Sequence, residues 1–152
     1  MQDFVVNSPL FAYLVLFGGM FIEGETFFLA AAIFALEGYM SWWWVLAVSF
    51  AGVIIGDVAW YYLGRLTKDT KWGMRLAEKY KNYQGWVSEN FTNRYFRLAF
   101  VSKFLYYVNR LTPLLAGWEK LDFKRFFKIH LIAGFGWLLT MFLAGKFFGL
   151  II

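Results

Sequence analysis

Five ionisable residues interrupt otherwise apolar stretches of this sequence: Glu23, Glu25, Asp57, Lys103 and Arg110. An Arg, Lys or Asp near the centre of a membrane helix costs about 2.5–3.5 kcal/mol of insertion free energy, and such residues usually line a pathway or pair with one another. Here acids and cations occur beside glycine and proline residues that break helices. This mixture favours a site for a polar substrate that crosses lipid. The alternative is a network of buried ion pairs that only locks helices together.

Asp57 lies in the segment "AGVIIGDVAWYYLGR". Gly52 and Gly56 form a pair of small residues four apart, which lets another backbone come close. Tyr61 and Arg65 follow Asp57 at i+4 and i+8, on the same face of a helix. A carboxylate packed in this way is a candidate for carrying a proton. It is equally a candidate for an ion pair with one of the two cations named above.

The sequence contains no motif for catalysis or metal binding. The only histidine, His130, lies at the start of the last apolar block, and we expect it at the membrane interface rather than as a ligand or base. There is no Ser/His/Asp set, HExxH motif or Walker loop. Without cysteine, the chain has no disulfide or thiolate metal site. We therefore predict that the protein is not an enzyme and uses no metal or cofactor.

The composition is that of an integral membrane protein. Of the 152 residues, 61% are hydrophobic, 24% are aromatic and 16% are charged, with a mean hydropathy of +0.52. These values exclude the surface of a soluble domain of this size. The net charge of +5 comes from residues concentrated between the apolar blocks. That placement favours lipid headgroups over nucleic acid as the partner.

The apolar residues form four blocks: Phe4–Ile22, Trp42–Gly64, Leu98–Trp118 and Ile129–Ile152. A helix that crosses the membrane needs about 20 residues, and the second and fourth blocks supply them. The first block leads through glycines into the apolar run Thr26–Leu36, whose eleven residues are too few to cross. The third block contains Pro113 and Gly117. We predict that each of these two regions is a re-entrant hairpin of broken helices.

The distribution of Lys and Arg predicts the orientation of these elements. Arg65–Arg97 contains eight basic residues against three acids, and Glu119–Lys128 contains four against two. Both segments should face the cytoplasm, which requires that the block between them enter and leave on the same side. Residues 1–41 contain no Lys or Arg, so the first hairpin should enter from the opposite side.

A third kind of element is predicted between the two spans. Apolar and aromatic residues recur there at steps of three and four: Trp72, Leu76, Tyr80, Tyr83, Val87, Phe91 and Tyr95. This spacing, with lysines around it, is typical of an amphipathic helix in the headgroup region, rather than of a helix packed on others in water. The predicted fold is thus an all-α integral membrane protein. It is a helical bundle with two re-entrant hairpins and an amphipathic interfacial helix, in one transmembrane domain over residues 1–152.

Three segments resemble one family of membrane proteins. "GDVAWYYLGR" is similar to the Gly-Asp, aromatic, Gly-Arg motif of the DedA proteins, also called the SNARE-associated or VTT-domain superfamily. "FIEGETFFLAAAIFALEG" resembles the acidic first hairpin of that family. "KFLYYVNRLTPLLAGW" resembles its second hairpin, in which a basic residue and Phe precede an Arg, a Pro and Ala-Gly. The resemblance extends from about Phe21 to Gly149.

The resemblance implies a lipid carrier, because family members include proton-dependent bacterial flippases of undecaprenyl phosphate and eukaryotic lipid scramblases. It implies that acidic residues couple transport to protons, and that these residues are Asp57 together with either Glu23 or Glu25. It implies that the substrate phosphate is bound by Lys103, Asn109 and Arg110. Arg would act as a bidentate donor and Lys as a point charge. Supporting positions would be Gly56, Tyr61, Arg65 and Pro113. The location would be the bacterial inner membrane, with the 65–97 loop cytoplasmic.

The sequence departs from the family pattern in its second hairpin. Lys103 stands where Arg is usual, and Tyr107 where Gly is frequent. By spacing from Pro113, the family's Arg falls on Asn109, with Arg110 displaced by one residue. Such a shift turns a helical side chain by ~100°. Of the properties that the resemblance implies, the identity of the substrate is the one that this difference affects most. The chain also ends soon after "GKFFGLII", where many relatives have another helix, so we expect a homo-oligomer to supply packing.

The function expected from these observations is a flippase for polyprenyl phosphate or a phospholipid, which transports without chemistry. A small-ion or proton antiporter would use the same charges but would carry ions without lipid. A membrane assembly or scaffold protein would use the charges only as pairs.

Overall fold

The computed structural model describes residues 9–79, 81, 95–105 and 108–147. These residues form helices without any strand, which confirms the prediction of an all-α fold. The helices of this described part are α1 Pro9–Ile22, α2 Gly24–Leu36, α3 Trp42–Thr67, α4 Lys71–Lys79, α5 Tyr95–Ser102, α6 Val108–Trp118 and α7 Phe123–Phe147. The chain divides into two compact units, Met1–Gly56 with Leu138–Ile152, and Asp57–Trp137. We call them the first and the second unit.

Two of these helices, α3 and α7, are long and apolar enough to cross a membrane. At 1.5 Å per residue the 26 residues of α3 extend ~39 Å, more than the ~30 Å hydrocarbon core. Both helices carry large apolar side chains that are exposed, among them Trp43 and Leu66 of α3 and Phe135 of α7. Such surfaces are typical of contact with lipid. The second and fourth apolar blocks therefore contain the candidate spans, as predicted.

The start of the last span differs from the prediction. Helix α7 begins at Phe123 rather than at Ile129. Asp122 caps it, because its Oδ1 accepts a hydrogen bond of 2.9 Å from the backbone N–H of Arg125. The cap extends the helix into the segment that was predicted as a basic loop, so that only 119–122 connect α6 with α7.

In the first unit, α1 and α2 are separated only by Glu23, whose backbone is extended (φ −157°, ψ 89°). The two helices pack closely, because a Cβ at Gly19 would overlap the ring of Phe27. With 14 and 13 residues they extend ~21 and ~20 Å, too little to cross alone. The helix is thus broken at the acidic segment where the sequence predicted a break. Re-entry of this pair into the membrane stays a prediction.

Helix α2 ends in a Schellman motif. Gly38 has a positive φ of 79°, its N–H donates to Ala35 O, and Tyr39 N–H donates to Phe34 O at 2.9 Å. The rings of Phe34 and Tyr39 are in edge contact, which supplies the apolar contact that usually accompanies this motif. Glycine is required at this turn because a left-handed residue with a Cβ is strained. The turn leads directly into α3.

In the second unit, α5 and α6 form a pair of short helices joined around Lys103. After Ser102 the chain tightens into i→i+3 hydrogen bonds, from Lys103 N to Phe100 O and from Phe104 N to Val101 O. The helices have 8 and 11 residues, so neither can cross the membrane alone. This pair occupies the third apolar block, and its membrane re-entry also stays a prediction.

The core of the second unit forms where α6 packs on α3. A Cβ at Gly64 would overlap the carbonyl oxygen of Leu114, and one at Gly117 would overlap that of Tyr61. Of the pair predicted to allow close packing, Gly52 does so, because a Cβ there would overlap Met20 Cβ of α1, whereas a Cβ at Gly56 would be in ordinary contact with a neighbouring side chain. Buried apolar residues of α3, α5, α6 and α7 complete the core, among them Tyr61, Tyr95, Leu98, Leu114, Trp118 and Phe126.

The structure describes only the first part of the predicted amphipathic helix. Helix α4 covers Lys71–Lys79, with Trp72 and Met74 exposed. Positions Tyr80, Tyr83, Val87 and Phe91 lie outside the described residues. Tyr95 belongs to α5 and is 1% exposed, so the prediction that it lies on the same interfacial face is wrong. Its hydroxyl group is held inside the second unit by a buried polar partner, described below.

Candidate functional site

A buried carboxylate lies at the centre of the candidate site. One oxygen of Asp57, Oδ2, is 2.5 Å from Lys103 Nζ and 2.8 Å from His130 Nδ1. Lys103 and His130 are each 1% exposed and Asp57 is 6% exposed. The ion pair between Asp57 and Lys103 is the alternative that the sequence left open, and the structure shows it.

Three separate elements supply these side chains. Asp57 lies on α3, one residue after the buried Gly56. Lys103 follows the last residue of α5, in the turn that breaks the third apolar block. His130 lies on α7, one turn after Phe126, and the two rings are in contact at 4.3 Å between centroids. The break after Ser102 therefore places the ammonium group of Lys103 against a carboxylate on a continuous helix.

The cluster extends through His130 to a fourth side chain. The Tyr95 hydroxyl group lies 2.8 Å from His130 Nε2. Because a carboxylate oxygen only accepts, Nδ1 carries the proton toward Asp57; in a neutral imidazole Nε2 then accepts from the Tyr95 hydroxyl. Lys103, Asp57, His130 and Tyr95 thus form one continuous series of hydrogen bonds, which we call the polar chain.

The polar chain has opposite charges at its core and little exposure to water. Its members Lys103 and Asp57 compensate each other's charge, whereas an isolated buried charge would cost several kcal/mol. Removing one partner of such a pair typically destabilises a protein by about 3–5 kcal/mol, because the other charge remains buried. The arrangement can therefore hold an ion pair, and its hydrogen bonds can also pass a proton.

His130 is not at an interface, and this part of the sequence prediction is wrong. It belongs to a buried stripe of α7, Phe126, His130, Ala133 and Trp137, which recurs at steps of four, three and four. That spacing was visible in the sequence and places His130 on the core face of a helix. Because the last apolar block begins at Ile129, the sequence prediction omits Phe126 from this stripe.

The other predicted phosphate ligands lie on α6 and outside the polar chain. Arg110 is partly buried and makes no ion pair with any residue that the structure describes. Oδ1 of Asn109 is buried and has no hydrogen-bond partner in the described part of the chain. Tyr107, where the family often has Gly, lies outside the described residues. The structure therefore brings Lys103 to Asp57 and leaves Arg110 unpaired within the described ranges.

The predicted acids of the first hairpin belong to the first unit. Glu23 is the extended residue between α1 and α2, and Glu25 lies in the first turn of α2. Both are partly buried. Neither makes an ion pair within the part of the chain that the structure describes.

The positions predicted as supporting have mainly packing roles. The Tyr61 hydroxyl donates to Leu121 O at 2.6 Å, and its ring stacks on Phe126 at 4.4 Å. The guanidinium of Arg65 lies over the Tyr61 ring at 5.6 Å from its centroid. Pro113 is buried within α6. Among the described residues, no group of three or more His, Asp or Glu side chains is placed to hold a metal ion.

The comparison with protein families shows to which family the chain belongs. A model of the VTT domain matches residues 14–147, a range that contains the whole polar chain and all of the helices except residues 9–13 of α1. The chain belongs to the VTT domain family. This confirms the resemblance found in the sequence. Comparisons with curated proteins and with solved structures gave no significant match.

The VTT domain family is membrane-associated, in agreement with the two candidate spans of this chain. The protein is therefore a membrane protein, and the exposed apolar side chains of α3 and α7 are explained by lipid contact. The VTT domain is generally regarded as non-enzymatic. In this VTT domain the polar chain is the described cluster of ionisable side chains with the deepest burial.

Proposed function

We propose that this VTT domain is a proton-coupled transporter of a lipid with a phosphate headgroup, a flippase of undecaprenyl (polyprenyl) phosphate or of a related phospholipid. The observation that supports this most directly is the buried pair of Asp57 and Lys103 at the break between α5 and α6. A cation that is held by a carboxylate on another helix is available to an anion only when that carboxylate is neutral.

The proposed mechanism is an exchange of partners at Lys103. When Asp57 takes up a proton, the charge of Lys103 is no longer compensated, and a lipid phosphate becomes its favoured partner. When Asp57 releases the proton, the carboxylate recaptures Lys103 and the phosphate is displaced. Proton and lipid therefore bind together, which makes a proton gradient able to drive the movement of lipid.

Arg110 supplies the second positive charge in this proposal. It lies in the first turn of α6 and has no ion pair within the described ranges. A guanidinium offers two parallel N–H donors to phosphate oxygens, where Lys offers a point charge. The neighbouring Asn109 offers an amide group for a further contact with the headgroup.

The broken helices support transport because irregular backbone at membrane depth is expected where it lines a path for polar groups. In the proposed topology each pair, α1 with α2 and α5 with α6, enters and leaves the membrane on one side. Glu23 and Glu25, at the first break, would be a second protonation site. The partners in this proposal are a membrane lipid and protons. The location is the bacterial inner membrane, with loop 65–97 in the cytoplasm.

Transport by the purified protein in liposomes tests the proposal. Labelled polyprenyl phosphate is placed in one leaflet, and its movement is measured with and without a pH gradient. Uncharged polyprenol serves as the control substrate, because it lacks the phosphate that Lys103 and Arg110 would bind. We expect gradient-dependent movement of polyprenyl phosphate and no gradient-dependent movement of polyprenol.

The alternatives give different results in the same liposomes. An antiporter would carry ions or protons without lipid. A scaffold protein would carry neither, and replacement of its charges would change only its stability. The proposed function would be contradicted if polyprenyl phosphate moved between the leaflets at the same rate with the protein as in protein-free liposomes.

A further inference from the structure

Asp57 has little direct access to water. It is 6% exposed, and its Oδ2 is occupied by Lys103 and His130. The ammonium group is a donor without an acceptor site, so it cannot relay an incoming proton while it is charged. His130 is the other neighbour of Oδ2, and its imidazole has two nitrogens that can take up and release a proton on opposite edges of the ring.

We infer that His130 and Tyr95 form a proton relay that loads and unloads Asp57. The two ring nitrogens of His130 are both engaged at 2.8 Å, Nδ1 with Asp57 Oδ2 and Nε2 with the Tyr95 hydroxyl. The inference rests on the proposed coupling of lipid transport to protons. It assigns to His130 and Tyr95 a positioning and proton-transfer role, without contact with the lipid.

The transfer is balanced at every atom. A hydronium ion gives a proton to the oxygen of Tyr95, the Tyr95 hydroxyl proton moves to Nε2, and the Nδ1 proton moves to Asp57 Oδ2. Three bonds from hydrogen to oxygen or nitrogen break and three form. The net change is one proton added to the carboxylate, with a neutral imidazole that now carries its proton on Nε2. Release follows the reverse order.

The same atom links the relay to the cation. Because Lys103 also donates to Oδ2, a proton that arrives there removes the charge that holds the ammonium group. The ionisable groups facing His130 from the described elements are Asp57 of α3, Lys103 after α5 and Tyr95 of α5. Phe126 of its own helix packs against the ring and excludes water from that side.

The position of Tyr95 indicates where the relay leads. Tyr95 is the first residue of α5 and lies near the end of the basic segment Arg65–Arg97. In the proposed topology this segment is cytoplasmic. The relay therefore serves the half of the transport cycle in which Asp57 exchanges protons with the cytoplasmic face, and the exchange with the opposite face takes place in the other half of the cycle.

Two substitutions interrupt the relay with little change of shape. Tyr95→Phe removes only the hydroxyl group. His130→Asn retains an N–H donor near the position of Nδ1 but has no second nitrogen to accept a proton. Tyr13→Phe is the matched control, because it removes a tyrosine hydroxyl that accepts a hydrogen bond of 2.9 Å from Ser41 N outside the polar chain.

The test follows protonation of Asp57 itself, so it does not depend on lipid transport. The infrared band of the protonated carboxyl group is recorded in liposomes after a rapid drop in pH, and Asp57→Asn identifies the band. We expect Tyr95→Phe and His130→Asn each to slow the appearance of this band at least tenfold. Tyr13→Phe should leave the rate unchanged. Thermal unfolding of the same samples shows whether each variant is folded, and Tyr95→Phe suffices if His130→Asn is not.

The outcomes separate the relay from the proposed function. If Asp57 protonates at the original rate in both relay variants, or never protonates between pH 4 and pH 9, the relay is wrong. If the relay variants are slow but the original protein moves no polyprenyl phosphate, the relay holds and the proposed lipid transport is wrong. An equal slowing in Tyr13→Phe would also overturn the assignment, because the effect would then be a general loss of packing.

Discussion

The backbones of α3 and α6 meet at Gly64 and Gly117. A Cβ on Gly64 would overlap Leu114 O, and a Cβ on Gly117 would overlap Tyr61 O. Atoms of two main chains cannot move aside as the end of a side chain can, so this contact fixes the separation of the two helices. The same helices carry Asp57 and Arg110, which makes the contact relevant to the candidate site.

Gly117→Ala should destabilise the protein by about 1–3 kcal/mol, the usual cost of overpacking a tight core. Gly18→Ala is the matched control, because a Cβ at Gly18 has no atom within 4 Å and Ala favours a helix by about 1 kcal/mol over Gly. Thermal unfolding in detergent measures both. Equal stability of the two variants would contradict the described contact of α3 with α6.

Lys103→Met should destabilise the protein by about 3–5 kcal/mol, because Asp57 would lose its charged partner while remaining buried. The double variant Lys103→Met with Asp57→Leu should recover most of this loss, since both charges are then removed. The four proteins of this double-mutant cycle give the coupling energy. Additive losses in the cycle would show that the two side chains are not paired.

Affinity for a lipid phosphate should rise as the pH falls, because protonation of Asp57 releases Lys103. Asp57→Asn should remove this rise, since the amide cannot ionise and Lys103 is always without a carboxylate. It should also abolish transport that depends on a pH gradient. The lipid itself gives the opposite trend, because a phosphate monoester loses negative charge near pH 6. Titration of purified protein with polyprenyl phosphate at several pH values provides the measurement, and a rise that persists in Asp57→Asn would contradict the exchange of partners.

Arg110→Ala should weaken binding of polyprenyl phosphate while changing stability by less than about 1 kcal/mol, because Arg110 has no ion pair with the described residues. Arg110→Lys should recover part of the binding, as a fork of donors is replaced by a point charge. Uncharged polyprenol should bind all three proteins alike. Unchanged affinity for the phosphate together with a large loss of stability would assign Arg110 a structural role instead.

Cysteines introduced by Lys81→Cys and Lys124→Cys should react with an impermeant reagent from the same side of the membrane. Both positions are exposed, and the basic segments that contain them are predicted to be cytoplasmic. Labelling from opposite sides would replace the re-entrant pair α5 and α6 with a complete crossing.

The sequence was most informative where charged residues interrupt apolar segments. Asp57 could be predicted to pair with Lys103 or Arg110 because a charge in lipid requires either a partner or a function. Tyr95 was assigned to the wrong surface, because the spacing of aromatic residues continues into α5, where Tyr95 is buried. The contact of Gly64 with α6 joins residues about fifty positions apart, and no local pattern encodes such a meeting. For His130, an error of six residues in the predicted start of α7 was enough to assign a buried side chain to the membrane interface.

One atom, Asp57 Oδ2, accepts the hydrogen bond from Lys103 and, in the proposed relay, also takes up the proton, and this sets a stoichiometry. In the proposed cycle a single acceptor admits one proton for each lipid phosphate bound. For a headgroup that carries one negative charge, proton and lipid together cross without net charge, so the membrane voltage contributes no driving force. The limiting ratio of lipid between the two leaflets then depends on the pH difference alone. It is about tenfold for each pH unit, since one unit corresponds to about 1.4 kcal/mol.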